Sequence, residues 1–294
     1  MNRRRFLVST AAAATGAWVG WKTIGSGSRS LTFAAPPPLA QKVAASDVVL
    51  LGKTGIKTSR LAMGTGTVGF GHHSHQTALG IKGLSELLQN GYDHGLTFFD
   101  SADGYGSHPH VADALKHVPR DKVTVLTKSF SRDAASARAD LDRFRRELGT
   151  DYIDICLIHC VTEGDWTERF RGVMDVLSEA KQKGIIRSHG VSCHSIEALR
   201  AAAKSPWVEV DLARINPVGA HMDASPGEVV SVLKEMKASG KSVIGMKILG
   251  QGELSGRVDD ALRYALSLGV LDAFTIGAES RKEQEDLIHR IAAA

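Results

Sequence analysis

The chain has 294 residues, of which 43% are hydrophobic, 6% aromatic and 23% charged; this excludes a polytopic membrane protein, a fibrous repeat and a wholly disordered chain. Three cysteines cannot build a disulfide framework, and their spacing matches no zinc or iron–sulfur motif. The formal charge of +4 comes from the first 34 residues, which hold five basic residues and no acid; the remaining 31 basic and 32 acidic residues give −1, so the body offers no global case for binding nucleic acid.

The first predicted element is a leader over residues 1–34, which resembles a twin-arginine export signal. Arg3-Arg4-Arg5-Phe6-Leu7 supplies the paired arginines, a weakly hydrophobic stretch from Val8 to Ile24 follows, and Thr32-Phe33-Ala34 offers small residues for a signal peptidase. A basic amphipathic start or a nuclear-type cluster is the alternative. The leader predicts export, to the periplasm, and transient contact with the twin-arginine machinery. No stable membrane span is expected, because Gly20 and Lys22 interrupt the apolar stretch.

The next segment, residues 35–46, is rich in proline and alanine and is predicted to be an extended spacer. The body then covers residues 47–294. It opens with two short strand-like runs, Val48–Leu51 and Ser59–Met63, around the turn Gly52-Lys53-Thr54-Gly55. This order predicts a β-hairpin.

From Leu61 onward, short apolar runs alternate with longer amphipathic stretches, a pattern typical of successive βα units. Eight such pairs are predicted. The strands are Leu61–Met63, Thr97–Phe99, Val123–Leu126, Ile153–Ile158, Ile186–Val191, Val208–Ala213, Ser242–Met246 and Ala273–Ile276. The helices are Thr77–His94, His108–His117, Ala134–Leu148, Trp166–Lys183, Ile196–Ala203, Pro226–Ser239, Val258–Leu268 and Lys282–Ile291.

Eight strand–helix pairs in about 250 residues predict an α/β fold of the (β/α)8 (TIM) barrel type with an N-terminal hairpin. A doubly wound open sheet is the alternative, because Gly64-Thr65-Gly66-Thr67-Val68-Gly69 is a G-x-G-x-x-G sequence after a strand. The following segment, Phe70–Gln76, is a His-rich loop instead of a helix start, so the pattern lacks the context of a dinucleotide fingerprint.

Four polar side chains follow three consecutive predicted strands: Asp100, Tyr105, Lys128 and His159. Barrel enzymes carry their chemistry at this end of the strands. Tyr105 is the natural proton donor, and Lys128 nearby would lower the pKa of its phenol. Asp100 can hold Lys128 in place, while His159 can orient a carbonyl oxygen. No Ser or Cys stands beside a base, which speaks against acyl transfer.

With these residues in place, the body, from about Val48 to Ile291, resembles an aldo-keto reductase. Asp100-x-Ala102-x-x-Tyr105-Gly106 matches the family pattern Asp-x-Ala-x-x-Tyr-Gly, and Lys128 with Leu157-Ile158-His159 completes its catalytic set. The resemblance implies hydride transfer between NADP or NAD and a small-molecule carbonyl, an aldehyde, ketone or sugar. It implies no metal.

The resemblance also implies a set of cofactor-binding residues after the strands. They are Gly66, Thr67, Ser192, Cys193, Arg214, Met246, Lys247, Leu249, Gly250, Gly277, Glu279, Glu283 and Asp286. Cys193 stands where the family usually has Asn, Arg214 where it has Gln, and Met246 where an aromatic often stacks. Glu279 would repel a 2′-phosphate unless Arg281 or Lys282 compensates, so the choice between NADP and NAD stays open.

Two other functions remain alternatives at this level. The first is a barrel that retains nucleotide without catalysis and serves as a redox sensor or partner subunit. The second is a lyase or isomerase that uses Lys128 as a Schiff base.

Two further groups of residues are not predicted to form a metal site or a disulfide. His72, His73 and His75, with His108 and His110 in the next loop, are interpreted as loop residues because no carboxylate is spaced with them as a ligand set. A Cys160–Cys193 disulfide is not predicted, since disulfide geometry is strict.

Overall fold

The structure, a computed structural model, describes residues 33–34 and 36–294. The predicted leader lies outside the described residues except for its last two positions. The end of the predicted spacer is fixed to the body: Ala45 is buried, and its carbonyl oxygen accepts a hydrogen bond from Leu61 N at 2.9 Å. No helix in the described part of the chain is long and apolar enough to cross a bilayer.

The predicted hairpin is confirmed, with β1 over Val48–Leu50 and β2 over Lys57–Ser59 paired antiparallel. Leu51 and Ile56, at its turn, are buried among the side chains that fill the barrel interior. The hairpin therefore closes one end of the barrel. Gly52 is needed at this turn because it has φ +49° and a Cβ there would lie 2.5 Å from Ser242 N.

The (β/α)8 barrel is also confirmed, and the open doubly wound sheet is wrong. Eight parallel strands close in the order β10-β3-β4-β5-β6-β7-β8-β9. They are β3 Leu61–Gly64, β4 Phe98–Asp100, β5 Thr124–Ser129, β6 Ile153–Val161, β7 Ile186–Cys193, β8 Val210–Arg214, β9 Ser242–Met246 and β10 Ala273–Ile276. The predicted second hairpin run is divided between β2 and β3, because the chain leaves the hairpin at Arg60 to enter the barrel wall.

Helices cover the outside of this barrel. In the described residues they are α1 Gly80–Asp93, α2 His108–Ala114, α3 Ala134–Leu148, α4 Trp166–Arg169, α5 Arg171–Gln182, α6 Ile196–Lys204, α7 Pro226–Ala238, α8 Val258–Ser267 and α9 Arg281–Ala293. The helix predicted over Trp166–Lys183 is interrupted at Phe170, which separates α4 from α5. The first predicted helix begins later than expected, since Thr77–Leu79 forms a 3-10 turn before α1.

Two layers of apolar side chains follow from the alternation of strand residues. Phe98, Leu126, Leu212 and Ile244 belong to the cluster inside the barrel. Val125 and other outward residues pack with the helices in a larger cluster. Because the hairpin closes the opposite end, polar side chains on the inner face near the carboxyl ends of the strands meet at the open mouth.

Candidate active site

The predicted catalytic residues come together at the carboxyl ends of three neighbouring strands. Asp100 ends β4, Lys128 lies in β5, and His159 lies near the end of β6. Tyr105 follows β4 in the 3-10 turn Asp103–Tyr105. Parallel pairing of β4, β5 and β6 brings these side chains to one mouth of the barrel.

A buried ion pair forms the base of this site. Lys128 Nζ lies 2.5 Å from Asp100 Oδ1 and donates to the Ser101 carbonyl at 2.8 Å. The other carboxylate oxygen of Asp100 accepts from Thr275 Oγ1 at 2.9 Å, a contact that the sequence did not reveal. Burial would lower the pKa of Lys128, but Asp100 and Tyr105 outweigh it and raise that pKa above its ordinary value. Lys128 is therefore a permanent cation at the bottom of the site.

Tyr105 is packed against the backbone of the glycine-rich segment after β3. A Cβ at Gly66 would lie 2.2 Å from the phenol ring, and one at Gly69 would lie 2.4 Å from it. The Lys128 ammonium sits 4.7 Å from the centre of the same ring. The second and third glycines of the G-x-G-x-x-G sequence thus make room for Tyr105, the first faces Thr275, and the three do not form a dinucleotide fingerprint.

The pKa of Tyr105 differs from the sequence-based expectation. Burial raises this pKa above its ordinary value, and the Lys128 charge, which acts in the expected lowering direction, only opposes that effect in part. The phenol therefore stays protonated at neutral pH, as a proton donor requires.

His159 completes the group with a neutral ring. Its ring meets Tyr105 edge-on, with 5.6 Å between the ring centres, and Phe130 packs on it at 4.4 Å. Burial, together with the nearby Lys128 cation, lowers the pKa of His159 well below its usual value. Its Nδ1 has no hydrogen-bond partner among the described residues.

The turn after His159 is held in an unusual backbone conformation. Cys160 has φ +53°, which is sparsely populated for a residue with a side chain. The Arg132 guanidinium donates to the carbonyl oxygens of His159 at 2.6 Å and of Cys160 at 3.4 Å. Arg132 was not singled out in the sequence, and it fixes the backbone that carries the His159 ring.

A cavity of about 490 Å3 opens beside this group and extends to the last helix, α9. Asp100 and Tyr105 line one end of it. Nine of the predicted cofactor residues line its wall: Gly66, Thr67, Met246, Lys247, Leu249, Gly277, Glu279, Glu283 and Asp286. An elongated cleft with a mainly apolar wall suits a flexible organic cofactor.

The other four predicted cofactor residues do not line this cavity. Gly250 is buried behind it, where its N donates to the Lys247 carbonyl at 2.8 Å. Arg214 is ion-paired with Asp223, whose side chain is fully buried. The remaining two, Ser192 and Cys193, lie side by side on β7.

Ser192 and Cys193 face opposite sides of the barrel wall. Ser192 pairs in register with Leu212, a residue of the interior cluster, so its side chain faces inward. Its Oγ is buried and has no hydrogen-bond partner within the described part of the chain. Cys193 belongs to the outer cluster and lies against Asp211, so the structure does not bring its thiol to the cavity. All three cysteines are free thiols.

The loops after β3 and β10 are held together at the cavity wall by Gln76. Its Oε1 accepts from Thr67 N at 2.8 Å, and its Nε2 donates to Thr67 Oγ1 at 3.0 Å. The same Nε2 also donates to the carbonyl oxygen of Ala278, in the loop after β10, at 3.4 Å. Gln76 is fully buried and was missed in the sequence, where it follows a run of histidines.

One group of potential metal ligands lies outside the cavity. Ligand atoms of Asp103, His108 and Glu147 lie within 4.8 Å of one another. The Arg143 guanidinium binds Asp103 at 2.6 Å and Glu147 at 3.1 Å, while His108 Nε2 contacts Thr127 Oγ1 at 2.7 Å. The carboxylates thus already have a cation, and the group is interpreted as a structural ion-pair network.

Comparison with known proteins gives a family match over most of the chain. The model of the "Aldo/keto reductase family" matches residues 60–285, a range that contains Asp100, Tyr105, Lys128 and His159 and all eight strands of the barrel.

Curated relatives carry reductase names. A region of 165 residues is 28% identical to an NADH-specific methylglyoxal reductase of Escherichia coli and covers 48% of this chain and 50% of that protein. A longer match, 26% identical over 250 residues, covers 81% of this chain and 78% of an NAD/NADP-dependent indole-3-acetaldehyde reductase of Schizosaccharomyces pombe. The chain spans about half the length of several curated relatives that it matches.

Solved structures share the fold. The holo form of an aldo-keto reductase from Bacillus halodurans superposes with a TM-score of 0.71 at 19% identity, covering 84% of this chain and 91% of that one.

Proposed function

This chain belongs to the aldo/keto reductase family, and on that premise we propose that it transfers hydride between NADH or NADPH and a small-molecule carbonyl. The substrate class is an aldehyde, a ketone or a sugar. The observation that carries the proposal is the buried Asp100–Lys128 pair beside Tyr105 at one end of an elongated cavity.

The residues around the cavity fit a nicotinamide cofactor. Ser192 does not itself line the cavity, but its buried Oγ faces the barrel interior without a partner within the described residues and is available to bind the carboxamide. The Tyr105 ring occupies the space that a side chain at Gly66 would take, and Thr67 Oγ1 occupies that of a side chain at Gly277, so these glycines allow Tyr105 and Thr67 to line the cavity. When bound, the reduced nicotinamide supplies the hydride for the carbonyl carbon.

Tyr105 acts as the general acid. Its phenol is protonated at neutral pH, because burial raises its pKa, and it lines the cavity in which the substrate carbonyl would lie. As the carbonyl carbon gains the hydride, its oxygen gains negative charge and takes the phenol proton.

Lys128 and Asp100 lower the free energy of this proton transfer. The phenolate that remains on Tyr105 is stabilised by the Lys128 cation, which acts strongly because it is buried. Asp100 keeps Lys128 charged and fixes its position. Without Asp100, burial would favour the neutral amine.

His159 orients the carbonyl. Its neutral ring can donate one hydrogen bond to the carbonyl oxygen without competing for the proton of Tyr105, because its own pKa is far below neutrality. Arg132 and Phe130 limit the movement of this ring.

The experiment that tests this function uses the purified protein with NADH and with NADPH and a panel of aldehydes, ketones and sugars. We expect substrate-dependent oxidation of the reduced cofactor. If nucleotide remains bound after desalting but no carbonyl is reduced, the proposed enzymatic activity is contradicted, and a barrel that retains nucleotide without catalysis is favoured.

The proposal includes export through the twin-arginine pathway to the periplasm. It is supported by the order of the first 34 residues: paired arginines, an apolar stretch and small residues. Replacement of Arg3, Arg4 and Arg5 by Lys should retain the protein in the cytoplasm, as measured by cell fractionation. Equal export of this variant would contradict the pathway.

A further inference from the structure

The end of the cavity away from Tyr105 is acidic. Glu279, in the loop after β10, and Glu283 and Asp286, in α9, contribute three carboxyl groups to its lining. Arg290 also lines this end, whereas Lys247, the other Lys or Arg among the described residues that line the cavity, lies toward Lys128 and Cys160 at the catalytic end.

Two arginines near this end, Arg290 and Arg281, are already paired with acids. Arg290 Nε lies 2.7 Å from Asp286 Oδ2, and its Nη1 lies 2.8 Å from Asp259 Oδ1. Arg281 lies 3.7 Å from Glu86 and does not line the cavity; nor does Lys282. The compensation that the sequence left open, by Arg281 or Lys282, is therefore absent from the described wall of the cavity.

Glu279 is held in position across two loops. Its carboxylate Oε1 contacts His75 Nδ1 at 2.8 Å, which links the loop after β3 to the loop after β10. Its own backbone N donates to Glu283 Oε2 at 2.8 Å. These contacts hold Glu279 at the cavity wall, where its carboxylate can accept a further hydrogen bond.

We infer that this chain binds NAD(H) in preference to NADP(H), and that Glu279 determines the preference. The inference rests on the proposed function, because hydride transfer beside Tyr105 directs the adenosine half of the cofactor to the opposite, acidic end of the cavity. A ribose 2′-hydroxyl donates a hydrogen bond to a carboxylate, which is a common basis of NAD recognition. A 2′-phosphate brings about two negative charges and is repelled by the same carboxylates.

The test uses two probes that lack the nicotinamide, ADP-ribose and 2′-phospho-ADP-ribose, so that binding reports on the adenosine end alone. Titration calorimetry on the full chain should give at least about tenfold tighter binding of ADP-ribose. Glu279→Arg should shift the ratio of the two affinities toward the phosphorylated probe by about tenfold or more, since an arginine can bind the phosphate.

A matched control is Glu285→Arg, which makes the same charge change on α9 at a position that does not line the cavity. It should change the ratio by less than about threefold, because its side chain does not line the cavity and cannot bind the 2′-phosphate directly, and salt and solvent weaken a charge that acts only from a distance. Equal binding of the two probes by the natural chain, or an unchanged ratio in Glu279→Arg, would overturn the preference and leave the proposed reductase standing. If neither probe binds, both the NAD(H) preference and the proposed reductase function are contradicted.

Discussion

The inner and outer faces of the barrel wall bury ionisable groups in different ways. On the inner face, Lys128 and Asp100 are both buried, and each charge has its opposite as a direct partner. On the outer face, Asp211 is fully buried in β8 beside the Cys193 thiol, and it makes no ion pair with any described residue. The first arrangement keeps its charges, and the second favours a neutral carboxyl group.

This difference distinguishes ionisable residues that take part in the reaction from ionisable residues that only pack in the core. Burial raises the pKa of Asp211 to about 7, whereas the paired Lys128 keeps its charge under the same burial because Asp100 compensates. A step of one residue along a strand moves a side chain from one face to the other. We therefore expect changes on the inner face to alter turnover or binding, and changes on the outer face to alter stability.

The largest effect is expected for Tyr105→Phe, on the inner side. This variant keeps the ring that packs on Gly66 but loses the proton, so the turnover number for carbonyl reduction should fall by about 10³-fold or more. Nucleotide affinity, measured by fluorescence titration, should change by less than about threefold. Tyr92→Phe, on the outer helix α1, is the matched control and should keep full turnover. An active Tyr105→Phe would contradict the assigned acid.

Lys128→Met should lower turnover by about 10²-fold, because the cation that stabilises the Tyr105 phenolate is lost. It also leaves Asp100 as a buried carboxylate without its cation, which should cost about 3 kcal/mol of unfolding free energy. Adding Asp100→Asn should recover part of this stability without recovering turnover, as measured by denaturant unfolding and steady-state rates. Recovery of turnover in the double variant would show that Lys128 acts only as a structural partner.

The same pair of residues sets the pH dependence of the reaction. Reduction should be constant through neutral pH and fall only in alkali, as the buried phenol of Tyr105 loses its proton above its ordinary pKa. In Lys128→Met the fall should move to still higher pH, since the charge that lowers this pKa has been removed. A pH–rate profile of both proteins checks the direction. A move toward lower pH would contradict it.

On the outer face, Asp211→Asn should change stability and leave turnover within about twofold. The folded-state pKa of Asp211 lies above the ordinary aspartate value, so the natural chain loses stability as the pH rises from about 4 to about 7. The variant lacks this loss and should be more stable by about 4 kcal/mol near pH 8, since the pKa shift of about three units corresponds to about 1.4 kcal/mol per unit. Denaturant unfolding at the two ends of this range measures the difference. An equal difference in unfolding free energy at both pH values would mean that Asp211 is ionised in the folded protein throughout this range.

The smallest effects are expected for Ser192 and Cys193, two neighbouring residues that face opposite sides of the barrel wall. Ser192→Ala should weaken nucleotide binding by about threefold to tenfold, the equivalent of one hydrogen bond to the cofactor. Cys193→Ala should leave nucleotide binding unchanged and lower the unfolding free energy by about 1 kcal/mol, because the thiol packs among the outer apolar side chains. Weaker nucleotide binding by Cys193→Ala would restore the role that the sequence predicted for it.

The sequence predicted the barrel and the catalytic group because both depend on local patterns. Each strand is a short apolar run, and Asp100, Tyr105, Lys128 and His159 directly follow such runs. The face of the wall was harder to predict at the end of β7, where two small polar residues, Ser192 and Cys193, follow each other. Either can face inward until the register with β8 is known.

Long-range contacts account for what was missed. Thr275 reaches Asp100 across 175 positions of sequence, and Gln76 reaches Ala278 across 202. Neither contact leaves a pattern in the neighbouring residues. The one usable signal was Gly66 with Gly69, whose close spacing after a strand indicates that a bulky group, here the ring of Tyr105, approaches the backbone.

The most direct test of the central claim follows deuterium from the reactive ring carbon of the reduced cofactor into the product, by mass spectrometry of a single turnover. Hydride transfer with Tyr105 as the acid should give one deuterium on the former carbonyl carbon in the natural chain and none above background in Tyr105→Phe at equal nucleotide occupancy. Product formed without deuterium, or labelled equally by both proteins, would contradict hydride transfer with Tyr105 as the acid.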